Sequence, residues 1–363
     1  MAIDDPATQK LPENGSWRNP AVRYDAAQSP LSRPAAAGYP ESASPRPYPR
    51  QRRAPRFAGF RVFLSLILAL LSLLSGAAGG FAYWAQKNLV EAEGFSAISN
   101  SMAEDSEFQG ELATAVTDDL MQQDSVTSYL GDGNAGGFFG GLQNWAYEQV
   151  KTGVDSAAHS VVQSETYPDT WNQVLADTHA YNFDSSNQEP AALNLSALYS
   201  EVDRQAGSVL GFDPNISGNG QHLISLESEN STAIHSGLLG LAQFAAGWQT
   251  YLIISLLALV LAFLLWPRGR FYFAAVTVGI AALLTLAAPA LADALAAAAS
   301  PANISTRVGQ VFLNELSAKL AESLVSFASS LTLPLGIAAA VLCVIGLAVQ
   351  ISRLSARATT ASA

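Results

Sequence analysis

Apolar residues gather along this chain in four long runs, at 62–86, 238–266, 271–298 and 331–351, nearly free of charge. A helix needs about 20 residues to cross a hydrocarbon core, so each run is long enough, and a lipid bilayer is the first partner the pattern names. Between the first two runs the pattern becomes periodic. Phe108, Leu112, Val116 and Leu120 recur every four residues with acids between them, and Leu142, Ala146, Val150, Val154, Ala157 and Val161 mark a second helical face with Trp145 beside it. Pro168 suits the first turn of a further helix, with Trp171, Val174, Leu175 and Thr178 on its buried side. Residues 182–190 are polar and predict a loop. Short apolar runs at 192–195 and 223–226 predict paired strands on either side of a helix at 198–210, which Gly211 ends.

From Ser231 the helical pattern runs without proline through Trp248 to Trp266 and stops at Pro267. It predicts one long helix, 238–266 being its membrane part, that couples the polar domain rigidly to the second span. Between the third and fourth runs, Val308, Phe312, Leu316, Leu320 and Leu324 predict an amphipathic helix at 302–328, with Glu315 and Lys319 one turn apart. Such a helix lies on the outer leaflet or packs on the domain. Packing is favoured, because its polar face lacks the many Lys and Arg of membrane-surface binders. The fold class that follows is a mainly α membrane protein: four transmembrane helices and, at 87–237, a mostly helical extracytoplasmic domain with minor β.

Charge supplies the orientation. The net −11 is partitioned: residues 1–61 carry ten Lys or Arg, whereas residues 87–237 carry three against twenty-two Asp or Glu, a net of −19. Arg50, Arg52, Arg53, Arg56 and Arg61 precede the first span, Arg268 and Arg270 fill the turn after the second, and Arg353 and Arg357 follow the fourth. The positive-inside rule puts that face, both termini and the tail at 352–363 in the cytoplasm of a plasma membrane. Phe81, Tyr83 and Trp84 close the first span as an interfacial belt. A strongly acidic domain disfavours nucleic acid as a partner and suits cations or basic partners; the plainer reading is that the acidity keeps an exposed domain soluble.

Residues 1–57 are rich in Pro, Ser, Ala and Arg and short of side chains to bury, so they are expected to be disordered. Pro45, Pro47 and Pro49 can dock an aromatic groove as an extended helix, and the Arg cluster can touch anionic lipid. The first apolar run begins too far in, and is too long, for a cleavable signal peptide. The single cysteine, Cys343, lies in the fourth run, so no intrachain disulfide is possible.

Chemistry is sparse. His159, His179, His222 and His235 show no metal-binding spacing. Asp155 and His159 face each other across one turn, and His179 reads as a core or boundary residue. The glycine-rich stretch at 131–141 lacks the lysine of a phosphate loop and reads as a connector. No GxSxG elbow or cysteine nucleophile is present, so no catalytic residue, cofactor or metal is assigned. The candidate polar site is Asp293, near the outer end of the third span, four residues after Pro289, which can kink it, and beside the small-residue face of Ala288, Ala292 and Ala296. Sequons stand at Asn14, Asn194, Asn215, Asn230 and Asn303, but the alanine-rich, cysteine-poor composition looks bacterial, which makes them chance occurrences.

The segment from Tyr167-Pro168-Asp169-Thr170-Trp171 to His179, the Leu193-Asn194-Leu195 strand and the Trp266-Pro267-Arg268-Gly269-Arg270 turn carry a resemblance covering residues 62–351. The chain resembles an uncharacterised group of actinobacterial four-span integral membrane proteins with an extracytoplasmic helical domain. That resemblance brings no activity with it. The function expected is a non-catalytic envelope protein whose acidic domain binds or senses something, with an envelope protein or a second copy as partner. One alternative is a channel or transporter component using Asp293, where Asp293→Asn should abolish flux yet leave an anchoring protein folded. Another is a membrane-bound hydrolase, which needs His159 or His179 beside a serine and a carboxylate in a cleft.

Overall fold

The computed structural model describes residues 58–131, 133, 136–212, 217, 220–227, 232–298, 304 and 306–361. The Pro/Arg-rich tail at 1–57, part of the glycine-rich stretch, and Asn14, Asn215, Asn230 and Asn303 fall outside them. Helices dominate: α1 (Ala58–Ala85), which runs into a π-helical turn (Gln86–Val90), α2 (Ala92–Ala103), α3 (Ser106–Met121), α4 (Asp124–Leu130), α5 (Gly137–Val162) and α6 (Tyr167–Phe183). After β1 (Ala192–Asn194) come α7 (Ser196–Leu210), β2 (Leu223–Ser225), α8 (Ala233–Ala246), α9 (Trp248–Leu265), α10 (Arg270–Thr285), α11 (Ala288–Ala298) and α12 (Arg307–Ala361). Three helices are long and apolar enough to cross a membrane, and a fourth crossing exists if α10 and α11, bent by 42° at their break, count as one span.

The polar module, α2 to α8 with the first turns of α12, is built around Trp171, which is fully buried. Its ring meets Phe108 at 5.3 Å and Phe312 at 6.3 Å edge-on and stacks on Tyr167 at 6.1 Å. The periodic residues Phe108, Leu112, Val116 and Leu120 of α3 all enter this core, as do Val174 and Leu175 of α6 and Leu198, Tyr199 and Val202 of α7. Local signals start and stop the helices, at Pro168 and Gly211 as the sequence implied and at Asp105 as the structure adds. The Asp105 carboxylate accepts the main-chain N–H of Glu107 (3.0 Å) and Phe108 (3.2 Å) at the start of α3. Pro168 sits in the first turn of α6, where no N–H is needed, and Gly211 ends α7 with φ +76°. The strands pair antiparallel, Leu193 opposite Ile224. Asn182 holds their edge, donating to the Ala192 carbonyl at 2.7 Å and accepting its N–H at 3.0 Å.

Four features differ from the pattern reading. The face expected along α5 is buried only in its second half, at Val154, Ala157 and Val161; Leu142 and Trp145 are 65% and 61% exposed, because α7 ends level with Gly153, whose added Cβ would meet Leu210 at 2.7 Å. The long helix into the second span is broken at Gly247, whose N–H reaches the Phe244 carbonyl; a Cβ added there would stand in tight contact, 3.3 Å from that carbonyl oxygen and from the Tyr251 ring. The third run is two helices, because Pro289 has no N–H for the Thr285 carbonyl. Conversely, the segments at 302–328 and 331–351 are one helix, α12, which continues through Pro334. Its amphipathic start packs into the module: Val308 and Phe312 are buried in the main core, with Leu316 against them.

Among the apolar helices, α1 packs closely with α9 and α10 with α12. Gly76 faces Ser255 and Gly79 faces Leu252, each so near that an added Cβ would stand 2.9 and 2.8 Å from the opposing side chain. Ser255 Oγ donates to the Ser72 carbonyl at 2.8 Å. Above these pairs a second cluster, Trp84, Ala85, Ala245, Ala292 and Leu324, joins α1, α8, α11 and α12. The π-turn is locked by Gly94: a Cβ there would lie 1.6 Å from the Lys87 carbonyl oxygen. Gly94→Ala must displace that turn and is expected to cost about 1–3 kcal/mol, read as a lowered thermal midpoint of the detergent-solubilised chain.

Candidate functional site

The four histidines are dispersed. On α5, His159 Nδ1 lies 3.7 Å from Asp155 Oδ1 and 3.1 Å from the Asp155 carbonyl, a local pair one turn apart. The His179 ring is wedged between Phe183 (4.5 Å) and Phe95 (5.2 Å), with Nε2 3.1 Å from the Leu89 carbonyl; it ties α6 to the π-turn. His222 packs on Tyr199 at 5.1 Å. His235, buried at the start of α8, places Nε2 3.0 Å from the Asn187 carbonyl. Ring bonds of His159 and His179 thus go to main-chain carbonyls. Among the described residues no three His, Cys, Asp or Glu converge as metal ligands would.

Asp293 is exposed on α11, beyond the bend and off the face that Ala288 and Ala292 bury. Among the described residues nothing pairs with it. Cys343 is exposed on the apolar part of α12.

What the structure does assemble is a buried carboxylate that sequence reasoning did not single out. Glu227 is 4% exposed, and its Oε1 accepts the Ala191 N–H at 3.0 Å and the His235 N–H at 2.8 Å. One oxygen therefore joins the segment before β1 to the first turn of α8, the helix that leads to the second span. The oxygen satisfies one of the first-turn N–H groups of α8 that have no partner within the helix. The only sequence signal was position, just after β2 and just before α8, and no motif marks that.

A second polar feature is an open cleft of about 250 Å³ between α3 and α12, lined by Asp105, Glu107, Glu111, Glu315 and Asn314 over Phe108 and Val311. Lys319 pairs with two of its acids, 3.3 Å from Asp105 and 3.3 Å from Glu315. Burial acts to lower the Lys319 pKa, but the hydrogen bonds its ammonium donates to Glu315 and Asp105 outweigh it and the net shift is upward. At the other end of α3, Asp118 meets Arg307 at 2.8 Å and Lys151 at 3.9 Å. Asp105 is held below its ordinary 3.8, first by the Phe108 N–H and then, against desolvation, by Lys319. A depressed folded pKa stabilises above the unfolded value and loses that contribution as pH falls through the folded one. The α3 cap should therefore persist from neutral pH down to about 3.8 and fail only below it. Carboxyl titration by NMR checks this; a midpoint at or above 3.8 contradicts the cap. Tyr199 donates to Asp119 at 2.7 Å, and burial, with that carboxylate, raises its pKa well above the usual phenol value.

Comparison with known proteins finds no match to this chain among family models, curated proteins or solved structures.

Proposed function

We propose that this chain is a non-catalytic, multi-pass envelope protein of the plasma membrane whose acidic module lies outside the cytoplasm and binds or senses a partner. One observation carries the reading. A single helix, α12, has Phe312 in the heart of the module and, further along, a stretch apolar enough to cross a bilayer. A module built around the end of a spanning helix is positioned relative to the membrane by covalent and packing forces together, which suits a receptor or scaffold surface. The acid excess of residues 87–237 favours a cationic or basic surface as its counterpart, provided by an envelope protein or by a basic face of a second copy.

Two measurements on the full chain test this. In a Cys343→Ser background, Glu165→Cys on the module should react with an impermeant maleimide in intact cells, whereas Ser44→Cys should react only after permeabilisation. The opposite pattern overturns the orientation. Light scattering of the protein extracted in mild detergent, with crosslinking beforehand, should give either a multiple of the chain mass or added mass from another polypeptide. A bare monomer under both conditions overturns the binding role.

A further inference from the structure

The two halves of α5 differ in what covers them. Along the second half, Gln205 of α7 donates to Ser160 Oγ at 3.4 Å, and a Cβ added at Gly153 would stand 2.7 Å from Leu210. α7 therefore runs back along α5 and stops at Gly211. The row it covers does not stop there. Ser160, Gly153, Gln149, Trp145 and Gly141 follow one another at spacings of seven or four, with Leu142 one turn from Trp145, so all six share a face. Gly141, Leu142, Trp145 and Gln149 are exposed. The opposite side of the same turns is taken by the chain after α4: a Cβ at Gly131 or Gly133 would stand 2.6 Å from Gln143 or 2.9 Å from Tyr147. Bare surface is thus confined to one side of one half-helix.

Exposed apolar side chains set together mark contact sites, and tryptophan is among the favoured anchors. Gly141 gives a separate sign. Nothing within 4 Å would meet a Cβ there, so the single chain gives up helix stability without using the space. Bare backbone serves a second surface that must come close. Charge selects that surface. Residues 133–147 form the longest stretch of 87–237 without Asp, Glu, Lys, Arg or His, in a region of net −19. A basic partner is drawn to the acidic remainder, whereas a partner as acidic as the module itself can settle only where neither side presents acid. The bilayer is out of reach. Arg307 opens α12 about 36 Å of helix before the apolar stretch at 331. Lys151, which shares Asp118 with Arg307, lies within about three turns of Leu142 and Trp145. Area narrows the choice further. An indole buries at most about 250 Å², so this face falls short of the about 800 Å² per partner of a standard interface between free proteins. Two copies anchored in one membrane by the same α12 carry the face at the same height, and that confinement raises their effective concentration as a linker would.

We propose that the bare half of α5 is the seat of a second copy of this chain, with Leu142 and Trp145 of each copy as the anchors and Gly141 where the two backbones approach. The contact names a partner that the binding reading leaves open, and it rests on that reading's placement of both modules on one side of the same membrane. It leaves the acidic surface available to a basic partner.

The test is a spin-label distance measurement on the full chain, in the Cys343→Ser background, in phosphatidylcholine vesicles at a high lipid-to-protein ratio. Ser156→Cys carries the label, on an exposed position of α5 outside the bare half. One label per chain reports a distance only between copies. A discrete distance should appear, and its modulation depth should fall about tenfold with Trp145→Asp, the size of effect a hot-spot residue carries. Gly141→Leu should do the same, although the single chain has room for it and leucine favours the helix. The thermal midpoint of each variant in mild detergent certifies its fold; if that of Trp145→Asp drops, Gly141→Leu alone is read. A distance that survives the variants overturns the contact and leaves the binding reading standing, since copies then meet elsewhere. Featureless decay from the parent overturns it too, sparing the binding reading if crosslinking adds the mass of another polypeptide and sinking both if the chain is a bare monomer.

Discussion

Replacing Phe312 with alanine is expected to destabilise the polar module by about 3–5 kcal/mol, the usual cost of emptying a buried aromatic site. The side chain is 1% exposed and stands edge-on to Trp171, itself packed against Phe108 and Tyr167. No neighbour is free to fill the space, since all three are held in their own helices. The consequence reaches beyond the core. Phe312 is the largest α12 side chain buried in the module, so its loss weakens the apolar contact that Val308 makes beside it and Val311, Leu313 and Leu316 make around it. The ion pairs of Arg307 and Lys319 do little to offset this, since pairs of that kind contribute about 0–1 kcal/mol each. Pulse proteolysis in urea, on the full chain in mild detergent, should show a lower midpoint and new cleavage near Arg307. An unchanged midpoint would mean that α12 merely lies against the module.

Glu227→Leu should rank next. It removes the acceptor for two buried N–H groups, those of Ala191 and His235, and each such orphan costs about 1–3 kcal/mol. Glu227→Gln keeps an oxygen in place and should cost clearly less. The damage is expected to be local, at β1 and the first turn of α8, with the apolar helices unaffected. Amide exchange at Ala191 and His235 should accelerate strongly in the leucine variant and modestly in the glutamine variant. Equal effects from the two would show that the carboxylate is not the clasp.

Much of this fold was legible before any coordinates. Apolar runs long enough to span a membrane are a statement about solvation, and they mark α1, α9, the α10–α11 pair and the second half of α12. Four-residue spacing found the buried face of α3, while Pro168 and Gly211 correctly marked a start and an end, because the backbone requirements of those positions are local. The brief strand pair was legible for the same reason. Pro289 marked the bend between α10 and α11, but the break at Gly247 was not legible, because it sits in an unbroken apolar stretch and a hydropathy pattern cannot tell a helix from two helices in series. The join between 302–328 and 331–351 was missed too, since a change from an amphipathic to an apolar pattern does not end a helix, and α12 runs on through it and through Pro334. Nor could the exposed half of α5 be read from its pattern, because exposure there depends on where α7 stops.

Of the candidate sites, Asp293 was found by its rarity in an apolar run, yet the structure leaves it exposed beyond a bend. Glu227 was overlooked because it lies among polar residues where acids are common, and burial alone distinguishes it.

By itself the sequence determined which segments favour hydrocarbon, which turn of which helix needs a proline or a glycine, and how unevenly charge is distributed, since each follows from the solvation or backbone preference of residues close in the chain. Only the tertiary structure decided that α12 plugs the module and that one carboxylate clasps two distant segments. Those facts depend on residues far apart in sequence competing for the same volume and the same hydrogen bonds, and no local pattern records the outcome of that competition.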